Sequence, residues 1–115
     1  MKVVFTSCIL FLALAMNAQE SLTGIWNTGK DNTKIEITEN NGVYSGKVIS
    51  SDNGQVKIGK LFIKDVKSVG GEWKGKMYSP KKGNWYNAVL EEKGKQLLVT
   101  VKSGMMSRTL KWQKE

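Results

Sequence analysis

Histidine is absent from this 115-residue sequence, and cysteine and proline each occur once, as Cys8 and Pro80. The absence of histidine excludes the usual general base of enzymes and leaves serine nucleophiles without an imidazole partner. A single cysteine cannot form a disulfide within the chain, and without histidine it cannot complete a Cys/His zinc site. Most carboxylates fall in turns, at termini or at outward positions. The sequence therefore predicts no catalytic residue, no metal site and no cofactor.

Residues 1–18 have the three regions of a secretory signal peptide. Lys2 supplies a positive charge, residues 3–14 are almost wholly apolar, and Ala15 and Ala18 are small residues before the expected cleavage site. The apolar run is shorter than the roughly 20 residues that a membrane-spanning helix needs. Cleavage would leave residues 19–115 as a single domain without cysteine, which suits an oxidising compartment. We therefore expect an exported protein, periplasmic or secreted, that is monomeric and not integral to the membrane.

Short runs of alternating apolar and polar residues recur after residue 19, and no stretch keeps helical spacing for more than a turn. Nearly every gap contains glycine beside asparagine, aspartate, serine or lysine, as tight hairpin turns require. Eight strands joined by short turns can close on themselves. We predict an all-β, up-and-down antiparallel barrel, with an open sandwich as the alternative. The expected strands are Leu22–Thr28, Lys34–Glu39, Val43–Ser50, Val56–Asp65, Glu72–Ser79, Asn84–Glu92, Gln96–Lys102 and Ser107–Gln113.

Alternation assigns one side chain in two to the inside of such a barrel and leaves a lysine-rich outside. Gly46 and Gly75 fall at inward positions, where they serve barrel curvature or, alternatively, leave space for a ligand. The apolar residues expected inside are Trp26, Ile35, Ile37, Tyr44, Val48, Leu61, Ile63, Trp73, Met77, Tyr86, Ala88, Leu90, Leu97, Val99, Val101, Leu110 and Trp112.

Gly24 and Trp26 in the first run, with Arg108 and Trp112 in the last, are expected to close the barrel. Because the first and last strands of a closed barrel are neighbours, Arg108 is expected to lie across Trp26 as a cation–π pair. Arg108 is the only arginine, and its planar fork suits stacking better than an ammonium group does. Contact of Arg108 with a ligand is the alternative.

The densest aromatic segment is the expected hairpin of residues 73–86, in which Pro80 ends the first strand. If Trp73 and Tyr86 face inward, two further aromatics fall on the outer face beside a basic turn. This outer surface is a candidate docking site for an anionic or sugar-bearing partner, while simple cross-strand packing of aromatics is the structural alternative. The candidate docking residues are Tyr78, Lys81, Lys82 and Trp85.

Two functional hypotheses follow. The first is a non-enzymatic binding module that takes a small apolar or amphipathic ligand at one open end of the barrel. Its candidate contacts are an apolar wall of Tyr44, Trp73, Met77, Tyr86 and Val101, with Lys47 or Lys76 near the rim for an acidic head group. The second is a packed-core protein that docks on envelope components through the outer hairpin. The net charge of +8 favours anionic partners in both cases, although export makes nucleic acid an unexpected partner.

The ordered set of motifs resembles the domain-of-unknown-function 2147 family of exported bacterial proteins. The resemblance implies a lipocalin-like (calycin) barrel outside the bacterial cytoplasm, in a family with no established activity. This chain departs from the family pattern at Ser79, where an acidic residue is common before the proline, and at Ser107, where glycine is common. The matching residues are Gly24-Ile25-Trp26, Tyr44-Ser45-Gly46-Lys47-Val48, Trp73, Gly75, Tyr78, Pro80, Gly83, Tyr86, Leu97-Leu98-Val99, Arg108-Thr109 and Trp112.

Overall fold

The computed structural model describes residues 22–115, and the predicted export signal at residues 1–18 lies outside them. Eight strands form one closed antiparallel barrel in chain order, and β8 returns to pair with β1. The predicted up-and-down barrel is therefore confirmed over the open sandwich. No helix within residues 22–115 is long and apolar enough to cross a membrane. The strands are β1 Gly24–Asn27, β2 Lys34–Asn40, β3 Val43–Ser50, β4 Leu61–Val69, β5 Glu72–Ser79, β6 Asn84–Lys93, β7 Gln96–Ser103 and β8 Met106–Lys114.

Strand β4 differs most from its prediction. It was expected at Val56–Asp65, but residues 51–60 form a loop, and β4 runs four residues further than expected, from Leu61 to Val69. Asp65 has a left-handed φ of 57°, and the register with β5 shifts between Lys64 and Lys67. These features identify a β-bulge, which changes the side-chain parity within the strand. As a result Val66 is buried, whereas simple alternation would have pointed it outward.

The core of the barrel is filled chiefly by two tryptophans, Trp26 and Trp112, the largest fully buried side chains. Leu22, which precedes β1, is also buried, and its carbonyl oxygen accepts a 2.9 Å hydrogen bond from the Trp26 indole Nε1. Leu22 and Val66 were absent from the predicted inward set. The other buried apolar residues are Ile35, Ile37, Tyr44, Val48, Ile63, Ala88, Leu90, Leu97 and Val99.

Gly46 and Gly75 are sites of close packing. A Cβ at Gly46 would lie 2.9 Å from Ile35 Cγ2. A Cβ at Gly75 would lie 2.5 Å from Val66 Cγ2 and 2.7 Å from the Lys64 carbonyl oxygen. The β4 bulge therefore sits directly on Gly75, and the space above both glycines is occupied by protein. Of the two explanations for these glycines, the structure supports the structural one.

The strands are strongly staggered around the barrel. When the residue opposite Gly24 is followed from each strand to the next, from β2 through β7, the series ends at the β7–β8 turn and Met106, at the start of β8. β1 itself pairs with the other end of β8, where Trp26 lies opposite Lys114. Such stagger is required when tilted strands close into a barrel. It places Arg108 well away from the part of β8 that meets Trp26.

The prediction that Arg108 covers Trp26 is therefore wrong, and Lys114 takes that position. The Lys114 Nζ lies 4.7 Å from the Trp26 ring centroid and donates a 2.9 Å hydrogen bond to the Thr23 carbonyl oxygen. Gly24 has a φ of 132°, and a Cβ there would lie 2.9 Å from the Lys114 Nζ. Gly24 and Trp26 thus lie at the β1–β8 junction as expected. The cation over the Trp26 ring is Lys114, the last residue of β8.

Glu115 completes this junction. Its backbone N–H donates to the Ile25 carbonyl oxygen at 2.9 Å, and its carboxylate lies 3.2 Å from the Lys34 Nζ. The Asn27 side-chain amide also donates to the carboxylate at 3.2 Å. The hydrogen bonds from Lys34 and Asn27 hold the pKa of the Glu115 carboxyl below its ordinary value. Beyond its two ladder pairs, the seam between β1 and β8 is therefore held by contacts of Lys114 and Glu115.

Candidate functional site

The barrel has an opening along β8. Strand β1 is short, and its only partners in β8 are Gln113 and Lys114, so within residues 22–115 the remainder of β8 has no strand neighbour on that side. Inward side chains beside this gap are incompletely covered: Val101 and Leu110 are half-buried, and Arg108 is exposed. By contrast, the inward Trp112 near the seam is 1% exposed. The inward side chains are thus fully buried near the seam and only partly covered at the end where β8 begins.

We call this opening the mouth, defined by Met77, Tyr86, Val101, Arg108 and Leu110. Met77 and Tyr86 are direct partners on β5 and β6, and Val101 and Arg108 are direct partners on β7 and β8. The structure therefore brings three predicted contacts, Met77, Tyr86 and Val101, to one end of the barrel. They form a half-buried apolar wall with an exposed guanidinium at its edge.

A second cation flanks the mouth. The Lys82 Nζ, in the β5–β6 turn, lies 6.0 Å from the Tyr86 ring centroid. Arg108 on β8 lies opposite Val101, and Lys82 in the β5–β6 turn lies beside Tyr86, so the two cations come from different elements. The sequence contained the signal for Arg108, since it shares the inward parity of Leu110 and Trp112, but the signal was assigned to barrel closure. At this position a planar guanidinium can hold a carboxylate or phosphate with two parallel hydrogen bonds.

The other two predicted wall residues lie at the opposite end. Tyr44 and Trp73 form an edge-to-face pair with ring centroids 5.0 Å apart and planes at 76°. Tyr44 is 6% exposed and belongs to the core, whereas Trp73 is half-buried. The predicted apolar wall is therefore divided between two ends of the barrel. Only Met77, Tyr86 and Val101 line the mouth.

Trp73 borders an open groove of about 340 Å³ at that opposite end. Three glutamates line it together with apolar side chains and one glycine. Within residues 22–115 no group of three or more acidic, histidine or cysteine side chains is arranged to hold a metal ion. The groove is lined by negatively charged side chains, whereas the charged side chains at the mouth are positive. Its lining residues are Gly71, Glu72, Trp73, Val89, Leu90, Glu91 and Glu92.

Lys47 and Lys76 do not reach the mouth. Lys47 lies opposite Glu36, and Lys76 lies opposite Lys64, on the outward parity of their strands. Both are exposed. Both side chains project from the outer face of the sheet, whereas the apolar wall is on the inner face. The expectation that Lys47 or Lys76 lies at the rim of the wall is therefore not met. The cations beside the wall are Arg108 and Lys82.

The outer hairpin surface is organised by two cation–π contacts. Tyr78 and Trp85 are cross-strand partners whose ring centroids lie 5.3 Å apart at an interplanar angle of 65°. The Lys60 Nζ lies 3.9 Å from the Tyr78 ring centroid, and the Lys64 Nζ lies 4.4 Å from that of Trp85. Both rings lie on the outer face, as predicted, and both are half-buried. Both lysines lie within the run expected for β4, but the sequence did not show which rings they would cover, because that depends on the register of β4 with β5.

The same face carries like charges in direct opposition. Lys64 lies opposite Lys76, and Lys67 lies opposite Lys74. Like charges in directly opposed positions are destabilising in an antiparallel pair. Of these four lysines, only Lys74 has a salt bridge within residues 22–115, to Glu72 at 3.6 Å. The outer face of β4 and β5 therefore holds positive charge that the barrel itself does not neutralise.

A comparison with protein families matches residues 24–114 to the model of DUF2147, described as an uncharacterized protein conserved in bacteria. The match begins at the first residue of β1 and ends at the last residue of β8, so it spans the whole barrel. Among curated proteins, none matches the chain.

Proposed function

Because the chain belongs to the bacterial family DUF2147, whose description names no activity, we propose a function from the geometry of its barrel. The protein is an exported, non-enzymatic module that binds a small apolar or amphipathic ligand at the mouth. The observation that carries this proposal is the register that sets exposed Arg108, on the inward parity of β8, directly opposite half-buried Val101. The wall would bury an apolar tail, and the guanidinium would hold an acidic head group.

The filled part of the barrel limits how far a ligand can enter. Trp26 and Trp112 occupy the interior near the seam, where they are at most 1% exposed. A barrel of eight strands is just wide enough for its own side chains or for one small ligand. The tail would therefore rest on Met77, Tyr86 and Val101 without traversing the barrel. A short apolar chain with one anionic group fits this geometry.

The chemistry of the mouth favours binding over catalysis. Its side chains offer apolar area, the Tyr86 phenol, and the cations of Arg108 and Lys82. General acid–base catalysis needs a group whose pKa lies near the working pH. None of the residues that define the mouth is a carboxylate or a thiol. A role in holding a ligand requires only the groups that are present.

Mass spectrometry of the protein purified from its exported form tests this proposal. We expect a small molecule that remains bound under gentle conditions and is released on denaturation. With decanoate as a defined probe, Arg108→Ala should weaken binding about 10- to 100-fold, because it removes a charge-assisted hydrogen bond. Lys76→Ala, which removes a cation from the outer face, should leave the affinity unchanged. An apo mass together with no decanoate binding would refute the proposal.

The outer face supports a second candidate, docking on an anionic envelope component. The opposed lysine pairs and the lysine-covered Tyr78 and Trp85 favour a partner that brings negative charge. Trp85→Ala should abolish binding of a phosphorylated glucosamine disaccharide, measured by calorimetry, and leave decanoate binding intact. Arg108→Ala should have the converse effects. Loss of both activities in the Trp85 variant, with the barrel still folded, would contradict two separate sites.

A further inference from the structure

The β7–β8 turn exposes two consecutive methionines. Met105 is fully exposed, at 103% of its reference area, and Met106 is 76% exposed. The turn is a two-residue hairpin loop, Gly104-Met105, between the partners Ser103 and Met106. Gly104, with a φ of 65°, supplies the left-handed conformation at the first loop position. An apolar residue is not required at the second position, so the geometry of the turn does not explain Met105.

The end of the barrel that holds this tip also carries several cations. In an up-and-down barrel alternate connections lie at the same end, so the β7–β8 turn shares its end with the connections at residues 28–33, 51–60 and 80–83. The loop of residues 51–60 also contains Ile58, an apolar side chain that is 61% exposed. One of the acidic residues at this end, Asp31, accepts a hydrogen bond from Asn53. The cations in or beside these four connections are Lys30, Lys34, Lys57, Lys60, Lys81, Lys82, Lys102 and Arg108.

The opposite end has a different character. Its connections are the glycine turns at Gly42, Gly70 and Gly94, and the glutamates of the groove beside Trp73 lie there. Val69 is 49% exposed at that end, and the acidic Glu72 lies three residues after it in the chain. Lys93 and Lys95 flank the Gly94 turn, so this end also carries cations, but glutamates stand beside them. The three most exposed large apolar side chains of residues 22–115, Met105, Met106 and Ile58, all lie at the other end.

We propose that the end carrying Met105 and Met106 docks on an anionic phospholipid bilayer. The two methionines enter the boundary between head groups and acyl chains, and the cations at the same end contact lipid phosphates. Methionine is flexible and apolar, which suits insertion into a deformable surface. A convex tip with distributed cations fits a bilayer better than a shaped protein pocket. This inference goes beyond the proposed function, since it concerns where the barrel rests and not what the mouth holds.

Vesicle sedimentation tests the docking. Residues 22–115 contain every strand and the buried core, so this segment is suitable and omits the apolar signal. We expect binding to vesicles of phosphatidylglycerol and phosphatidylcholine, weakening as salt rises, and little binding to phosphatidylcholine alone. Met105→Ser with Met106→Ser should weaken binding at least tenfold. Val69→Ser, which removes an exposed apolar side chain at the other end, should leave it unchanged.

A charge-matched pair tests the orientation. Lys57→Glu with Lys81→Glu should abolish vesicle binding, whereas Lys93→Glu with Lys95→Glu makes the same change in net charge at the opposite end and should preserve most of it. Equal loss in both double variants would show that net charge alone drives binding and would overturn the proposal. Unchanged binding by the methionine variant would also overturn it. Decanoate binding by the methionine variant reports separately on the mouth.

Insertion has its own spectroscopic signature. Met105→Trp should give a tryptophan whose emission shifts to the blue with anionic vesicles and is quenched by brominated acyl chains. Val69→Trp should show neither effect. Vesicle binding without quenching at position 105 would contradict insertion of the tip, and capture of a soluble protein by the tip in place of vesicles would replace the bilayer as its partner.

Discussion

Replacing Gly75 with alanine is expected to destabilise the barrel by about 3 kcal/mol, at the upper end of the usual cost of overpacking a core. The new Cβ would lie 2.7 Å from the Lys64 carbonyl oxygen and 2.8 Å from the Val66 Cα. Both are backbone atoms of the β4 bulge, so a change of rotamer cannot relieve the contact. Strands β4 and β5 would have to separate locally. Urea denaturation followed by circular dichroism measures the loss.

Two other glycines provide a graded control. Gly46→Ala would place its Cβ 2.9 Å from Ile35 Cγ2, but its nearest neighbours are all side-chain atoms that can shift. We expect an intermediate cost of about 1 to 2 kcal/mol. Gly54→Ala meets no atom within 4 Å and should change stability by less than about 0.5 kcal/mol. If Gly75→Ala matched Gly54→Ala, the bulge would not be packed against Gly75.

Trp26→Ala is expected to cost about 3 to 5 kcal/mol, the range observed for loss of a large buried aromatic side chain. Trp26 is 0% exposed, donates a hydrogen bond to the Leu22 carbonyl oxygen and lies under the Lys114 Nζ. The substitution leaves a cavity and removes the partner of a buried carbonyl oxygen. Since small domains are stabilised by only about 5 to 15 kcal/mol, this variant should be close to unfolding in thermal and urea denaturation.

A milder substitution keeps this prediction measurable. Trp26→Phe retains an aromatic ring under Lys114 but lacks the indole N–H, so the Leu22 carbonyl oxygen loses its partner at a cost of about 1 to 3 kcal/mol. Trp85→Phe is the matched control, because Trp85 is half-buried on the outside and its indole N–H donates no hydrogen bond within residues 22–115. Equal stability changes in the two phenylalanine variants would exclude a special role for the Trp26 hydrogen bond.

The stagger of the strands links the seam to the mouth. Because β1 meets β8 only at Gln113 and Lys114, the seam is short, and Lys114 and Glu115 hold it with side-chain and backbone hydrogen bonds. The same stagger leaves the start of β8 paired with β7 but, among residues 22–115, without a strand neighbour on the side of β1. Arg108 is therefore exposed at the mouth instead of covering Trp26. The stagger of the strands thus explains both the short seam between β1 and β8 and the unpaired side of β8 at the mouth.

The comparison between prediction and structure is clearest in β4. In the loop of residues 51–60, which precedes β4, apolar Val56 and Ile58 alternate with polar residues and suggest an earlier start of the strand. The bulge at Asp65 then reverses the parity that a strict period of two predicts. Which residue occupies a bulge depends on the partner strand, here on the space above Gly75. Local pattern cannot supply that information.

The candidate site shows a similar division. Inward parity identified Met77, Tyr86 and Val101 from the sequence, and outward parity identified Tyr78 and Trp85 as an exterior pair. Parity does not say which inward residues share an end, so Tyr44 and Trp73 were grouped with a wall that they do not join. The positions of the cations at the mouth and over the aromatic rings depend on stagger, which is a property of the closed sheet.

The sequence by itself determined the strand number, the order of the strands and most of the two faces. Glycine turns and alternating polarity are local properties of the sequence. An eight-stranded meander can close into a barrel, which pairs its two edge strands with each other. The tertiary structure decided the partner of Trp26, the bulge over Gly75 and the position of Arg108 at the mouth. These depend on register and stagger, because the contacts join residues distant in the chain whose relative heights are set only when the barrel closes.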